Sequence, residues 1–170
     1  RARMADVLDG NAGAAFCGWA SDHGELLGAH GLYCKNFSGF EEVYNVPLIM
    51  AGPGIAAGQT TTGRVGTHDL CPTLLEMAGA EPIEVPDSRS FVDLLADPAG
   101  HADDYRTGYA EYFGTRMYLT QRITYDGDWK LVFNGFDFDE LYNLAEDPGE
   151  MNNLADDPAH RDRLREISQV

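Results

Sequence analysis

The sequence predicts an α/β chain followed by a smaller antiparallel β-sheet part with a closing helix, and three observations predict it. The run Ala14-Ala15-Phe16-Cys17-Gly18-Trp19-Ala20 is apolar at nearly every position and stops abruptly at Ser21-Asp22. The stretch His68 to Gly79 carries the signals of a helix. Beyond about residue 100, short aromatic segments bounded by turn residues replace both patterns.

The elements follow in chain order. RARMADVLDGNAG reads as the end of a helix stopped by Gly10 and an Asn-Gly-type turn, so the chain is expected to be a piece of a longer fold. The apolar run after it suits a strand covered on both faces, as in a parallel sheet flanked by helices. Phe40-Glu41-Glu42-Val43-Tyr44 reads as a short helix, and Val46-Pro47-Leu48-Ile49-Met50 as a second apolar strand with Pro47 near its start. Gly52-Pro53-Gly54 forces a turn. From His68, early Pro72, the spacing of Leu70, Leu74, Leu75 and Met77, and the stop at Gly79 predict a helix. Ala80 to Ser90 is polar and proline-bearing, a surface connection. Segments near 105–112, 117–125, 129–134 and 138–143 then read as an antiparallel sheet, and Asp157 to Ser168 as an amphipathic helix.

Composition narrows the function. The chain has 170 residues with 12 basic against 28 acidic side chains, a formal net charge of −16. Phosphate neutralisation needs clustered Lys and Arg, so nucleic acid is excluded as a partner. An acidic field also repels an anionic substrate, which local positive groups or a metal would have to overcome. No stretch is long enough to span a bilayer as a helix. Cys17, Cys34 and Cys71 are odd in number and scattered, which suggests no disulfide framework. The sequence does not name a compartment or an oligomeric state.

The stretch SDHGELLGAHGLYCK carries the chemistry. Ligands in parallel α/β sheets gather at the carboxyl ends of strands, where Asp22 and His23 fall. An Asp oxygen and a His nitrogen can share a divalent ion, but two ligands cannot close a site. The alternative is a turn in which Asp22 accepts backbone hydrogen bonds. Lys35 is one of only two lysines, either a solvated charge or an anion contact. His30 is a second candidate imidazole or a loop histidine.

The order of these pieces resembles a known family. SDHGELLGAHGLYCK, Phe40-Glu41-Glu42, Val46-Pro47-Leu48-Ile49, Gly52-Pro53-Gly54 and His68-Asp69-Leu70-Cys71-Pro72-Thr73-Leu74-Leu75 are similar to the C-terminal half of the type I sulfatases. These belong to the alkaline phosphatase superfamily, as do the closely similar phosphonate monoester hydrolases. Trp129-Lys130-Leu131-Val132, Asp139-Glu140-Leu141-Tyr142-Asn143-Leu144 and Asp147-Pro148-Gly149-Glu150-Met151-Asn152-Asn153-Leu154 continue the likeness. The resemblance implies the C-terminal part of an α/β/α sandwich over residues 1–100 and a small β-rich subdomain with a terminal helix over 101–170. It implies that Asp22 and His23 ligate a divalent cation, usually Ca2+, with Mn2+ or another ion as an alternative. Lys35 would contact sulfate oxygens, and the substrate would be a small-molecule or carbohydrate sulfate ester. His30, His68 and Arg116 are further candidates for substrate contact, with Tyr109 and Tyr112 beside the cleft.

The family's nucleophile is a formylglycine made in a Cys/Ser-x-Pro/Ala-x-Arg motif, which the resemblance places upstream. None of the contexts Cys17-Gly18-Trp19-Ala20, Cys34-Lys35-Asn36-Phe37 and Cys71-Pro72-Thr73-Leu74 matches it. The chain alone is therefore expected not to turn over sulfate esters. Three readings stand: a partial sulfatase, a partial phosphonate monoester or phosphodiester hydrolase, and a degenerate non-catalytic binding module. If the N-terminal half is missing, the first strands should expose apolar surface.

Overall fold

The computed structural model describes residues 15–35, 38–114, 119–135 and 137–170. The helix end expected over RARMADVLDGNAG, and Arg116, lie outside the described residues. The chain divides into two compact units. One holds the described residues up to Asp22 with Pro47–Tyr105, and the other holds His23–Val46 with Arg106–Val170.

In the first unit, Cys17–Ala20 (β1) pairs with Leu48–Ala51 (β2). The pairing is antiparallel, with Trp19 opposite Ile49, where the apolar run predicts parallel neighbours. Two-sided hydrophobicity reports cover, not direction, so the run alone could not set the hand of the pair. Both Trp19 (55% exposed) and Ile49 (59% exposed) stand out from the described surface, as expected of strands built for cover. The core of this unit is Phe91, Leu94 and Tyr105, with Leu48, Met50, Val65, Leu70 and Leu95 packed on it.

The predicted helix appears as a 3-10 turn at Thr67–Asp69 running into Leu70–Met77 (α2), the short helix Glu41–Tyr44 of the other unit being α1. Asp69 is buried, and its carboxylate accepts from the amides of Gly66 and Arg89, both at 2.9 Å. It is polar packing at a helix start. Two short helices not predicted from the sequence follow, Val92–Ala96 (α3) and Pro98–His101 (α4). Asp97 starts the latter by accepting from the Gly100 amide, with Pro98 in the first turn.

In the second unit, Thr107–Tyr112 (β3), Gln121–Asp126 (β4), Trp129–Asn134 (β5) and Glu140–Asn143 (β6) form an antiparallel meander in that order. Alternation along β4 buries Gln121, Ile123 and Tyr125. One face packs Ile123, Tyr125 and Val132 with Tyr44, and the other packs Leu131 and Leu141 against Ile167. Ile167 comes from Arg161–Ile167 (α5), the closing helix, entered through a 3-10 turn at Pro158–His160. Arg163 of α5 reaches back to Asp126 at 2.6 Å, and Arg106 holds the other oxygen at 2.6 Å. Both guanidiniums, Arg163 foremost, hold the Asp126 carboxyl below its ordinary range. Among the described residues, no helix is long and apolar enough to cross a membrane.

Candidate functional site

The loop from His23 to Lys35 lies wholly in the second unit. Its entry is stitched to α1: the Gly24 amide donates to the Val43 carbonyl at 2.8 Å, and the Glu25 amide to that of Glu42 at 2.9 Å. Leu26, 2% exposed, anchors the loop from beneath, and its amide donates to the carbonyl of Cys34 at 3.2 Å. Between them a 3-10 turn at Ala29–Gly31 reverses the chain. The reversal puts three non-glycine residues at positive φ: Leu27 (48°), His30 (52°) and Cys34 (71°). Such conformations are costly and persist only when neighbours enforce them.

His30 is one of the enforcers. Its ring stacks on Phe40 with centroids 3.6 Å apart and planes 3° from parallel. Its Nε2 lies 3.8 Å from a Glu42 oxygen. The side chain is only 12% exposed. His30 thus helps to close the loop.

The closed loop delivers Lys35 to His23. Lys35 Nζ lies 2.5 Å from His23 Nε2, and His23 Nδ1 lies 2.7 Å from the Gly24 carbonyl oxygen. A carbonyl only accepts, so the ring donates from Nδ1 and presents the Nε2 lone pair to the ammonium. That nitrogen has one lone pair, which an imidazole would offer a metal only in place of Lys35, its other nitrogen donating to the backbone. Asp22, exposed, is the last residue of the first unit. A carboxylate and a fixed imidazole nitrogen are donors that suit a divalent cation. Among the described residues, no group of three or more His, Cys, Asp or Glu side chains is assembled to hold one. By chemistry, an aspartate oxygen and an imidazole nitrogen are two of the donor types that a coordination shell for such an ion takes.

The remaining described candidates have partners of their own. His68 belongs to the first unit and is 38% exposed, with Nε2 3.5 Å from Asp69 Oδ1. Tyr109 is exposed, and its hydroxyl donates to Glu111 at 3.0 Å. Among the described residues, Cys17, Cys34 and Cys71 form no disulfide.

Sequence reading missed a buried ionic cluster in the second unit. Lys130 is fully buried on β5, its Nζ 2.8 Å from Glu41 Oε1 and 2.7 Å from Glu150 Oε1. The Tyr125 hydroxyl donates to the same Glu41 oxygen at 2.8 Å, and the Glu41 amide donates to Glu150 Oε2 at 2.6 Å. Burial pushes the Glu150 carboxyl above its ordinary range, against the pull of Lys130. A signal existed: the second of two lysines sits inside the apolar run Trp129-Lys130-Leu131-Val132.

Comparison with known proteins follows this geometry. A family model described as N-sulphoglucosamine sulphohydrolase, C-terminal, matches residues 28–169. Lys35 falls within that match, and Asp22 and His23 precede it. The choline-sulfatase of Rhizobium meliloti (strain 1021) is 38% identical over 137 residues, which cover 80% of this chain and 25% of that protein. Among solved structures, a 2-O GAG sulfatase is similar with a TM-score of 0.80 at 28% identity, covering 91% of this chain and 34% of the other. A phosphonate monoester hydrolase from Silicibacter pomeroyi is similar with a TM-score of 0.74 at 27% identity, covering 91% and 33%. The chain spans about a quarter of the length of the curated relatives it matches.

Proposed function

This chain belongs to the sulfatases, as the C-terminal portion of that family, and we propose that within the full-length protein it serves the hydrolysis of a sulfate ester. The observation that carries the reading is the meeting of Lys35 and His23 at 2.5 Å across a loop closed by backbone hydrogen bonds. The substrate class is a small-molecule or carbohydrate sulfate ester.

Asp22 and His23 would hold a divalent cation, Ca2+ first and Mn2+ as the alternative. When bound, the cation supplies Lewis-acid stabilisation of sulfate oxygens. Lys35 offsets negative charge that grows on the same oxygens as the ester bond breaks, and a compact ammonium suits that task. Such local charge is needed because the chain as a whole carries −16 and repels anions. The Gly24 carbonyl holds the His23 ring in the tautomer that leaves Nε2 as the donor. No cysteine of this chain fits a formylglycine, so the nucleophilic step is left to residues outside it.

The test is turnover of an aryl sulfate by the full-length protein, with and without chelator. Lys35→Ala should lower kcat about 10²- to 10³-fold, the magnitude typical of one lost charge-stabilising donor. Unchanged turnover in that variant, or activity indifferent to chelation, would reject the reading. The phosphonate monoester hydrolase neighbours favour a second reading. Faster hydrolysis of a phosphonate monoester than of the matched sulfate would select it.

A further inference from the structure

The Lys130 cluster has no part in the chemistry above, yet it joins the interior of the sheet to the loop that bears His23. Two carboxylates and one ammonium, nearly all withdrawn from water, are a poor means of stabilising a core. Apolar side chains of similar volume often do as well or better, because each ion must give up its hydration. What an ionic cluster provides instead is direction: it fixes one side chain in one place.

Here that side chain is Glu41, at the start of α1. Lys130 Nζ and the Tyr125 hydroxyl converge on its Oε1, and Glu150 Oε2 accepts its amide proton. The next two carbonyls of α1, those of Glu42 and Val43, accept from the amides of Glu25 and Gly24. The Gly24 carbonyl accepts from His23 Nδ1, and His23 Nε2 meets Lys35. Every link lies within one compact unit. Gly24 leaves the path no slack, because a Cβ there would fall 1.9 Å from the Glu42 carbonyl oxygen.

We propose that Lys130, Glu41, Glu150 and Tyr125 form a positioning device that sets the His23 ring against Lys35 through α1. The proposal rests on the reading of His23 and Lys35 as site residues. None of the four touches the reacting groups, so their influence is on where those groups stand. Small misplacement of a charge-stabilising group is enough to slow a reaction severalfold or more.

The deciding variant in the full-length protein is Glu41→Ala. It leaves Lys130 facing Glu150 alone, one charge of each sign, so the interior stays balanced. We expect a folded protein whose kcat on an aryl sulfate falls about tenfold with KM changed less than twofold. In histidine-labelled protein, the His23 ring signals, assigned by their loss in His23→Gln, should shift. Glu41→Gln, which keeps the acceptor oxygen for Lys130 and Tyr125, should restore both. Should Glu41→Ala fail to fold, Tyr125→Phe removes one donor only and should move the His23 signals in a smaller step. A folded Glu41→Ala or Tyr125→Phe protein with unmoved His23 signals would overturn the proposal, as would failure of Glu41→Gln to restore them. A wild-type protein inert toward sulfate esters would reject the hydrolase reading instead, and the His23 signals would still decide the tether.

Discussion

Replacing Gly24 with alanine tests the stitch between the loop and α1 directly. The added Cβ would stand 1.9 Å from the Glu42 carbonyl oxygen, 2.9 Å from its carbon and 3.2 Å from the Val43 Cα. All three atoms are backbone, so no rotamer change relieves the clash and the two segments must part. Parting breaks the hydrogen bonds from Gly24 to Val43 and from Glu25 to Glu42. At about 1 kcal/mol each, with strain left over, the local cost is about 2–3 kcal/mol. Local opening at that cost raises amide exchange roughly 30- to 150-fold in the two segments of the stitch. Hydrogen exchange read by mass spectrometry on peptides covering 23–26 and 41–45 of the full-length protein measures it. Gly18→Ala is the control, since nothing lies within 4 Å of a Cβ there. Exchange in Gly24→Ala that matches both wild type and the control would refute the account of the loop.

Two further outcomes are expected. Lys130→Met strands two carboxylates in the interior and should cost about 3–5 kcal/mol. Because burial already holds the Glu150 carboxyl up, its folded form favours the proton, and stability is lost as pH rises through that raised value. The fall in Tm should accordingly be larger at pH 8 than at pH 5, and a fall independent of pH would contradict this. Asp126 has the opposite sign: its carboxyl is held down by Arg163 and Arg106, so its contribution is full above the ordinary carboxylate value and disappears as pH falls through the lowered one. Asp126→Asn should lower Tm at pH 7 and match wild type in strong acid, a convergence that thermal melts across the acid range would check.

The meander was the most legible part of the fold, because period-2 alternation and turn residues are local signals. The predicted strand near 117–125 begins at Gln121 and that near 138–143 at Glu140, the usual uncertainty of ends. The direction of β1 against β2 was not legible, since neither apolar run encodes its partner. Helices α3 and α4 are too short to show a hydrophobic period, although Asp97-Pro98 is a helix-start signal in plain view. The His23–Lys35 pair was legible only through resemblance; spacing of twelve residues says nothing until the loop closes. Glu150 closes a turn at φ 48°, its amide donating to the Asp147 carbonyl, but its burial against Lys130 depends on partners far along the chain.

That distance has a consequence for synthesis. Glu41 waits for Lys130, 89 residues later, and for Glu150, 109 residues later. At about 5–20 residues per second, the ribosome delivers Glu150 roughly 5–20 s after Glu41. The nascent loop bearing His23 therefore emerges before its fastening exists, and a nascent chain halted before Glu150 would carry the right residues in the wrong posture.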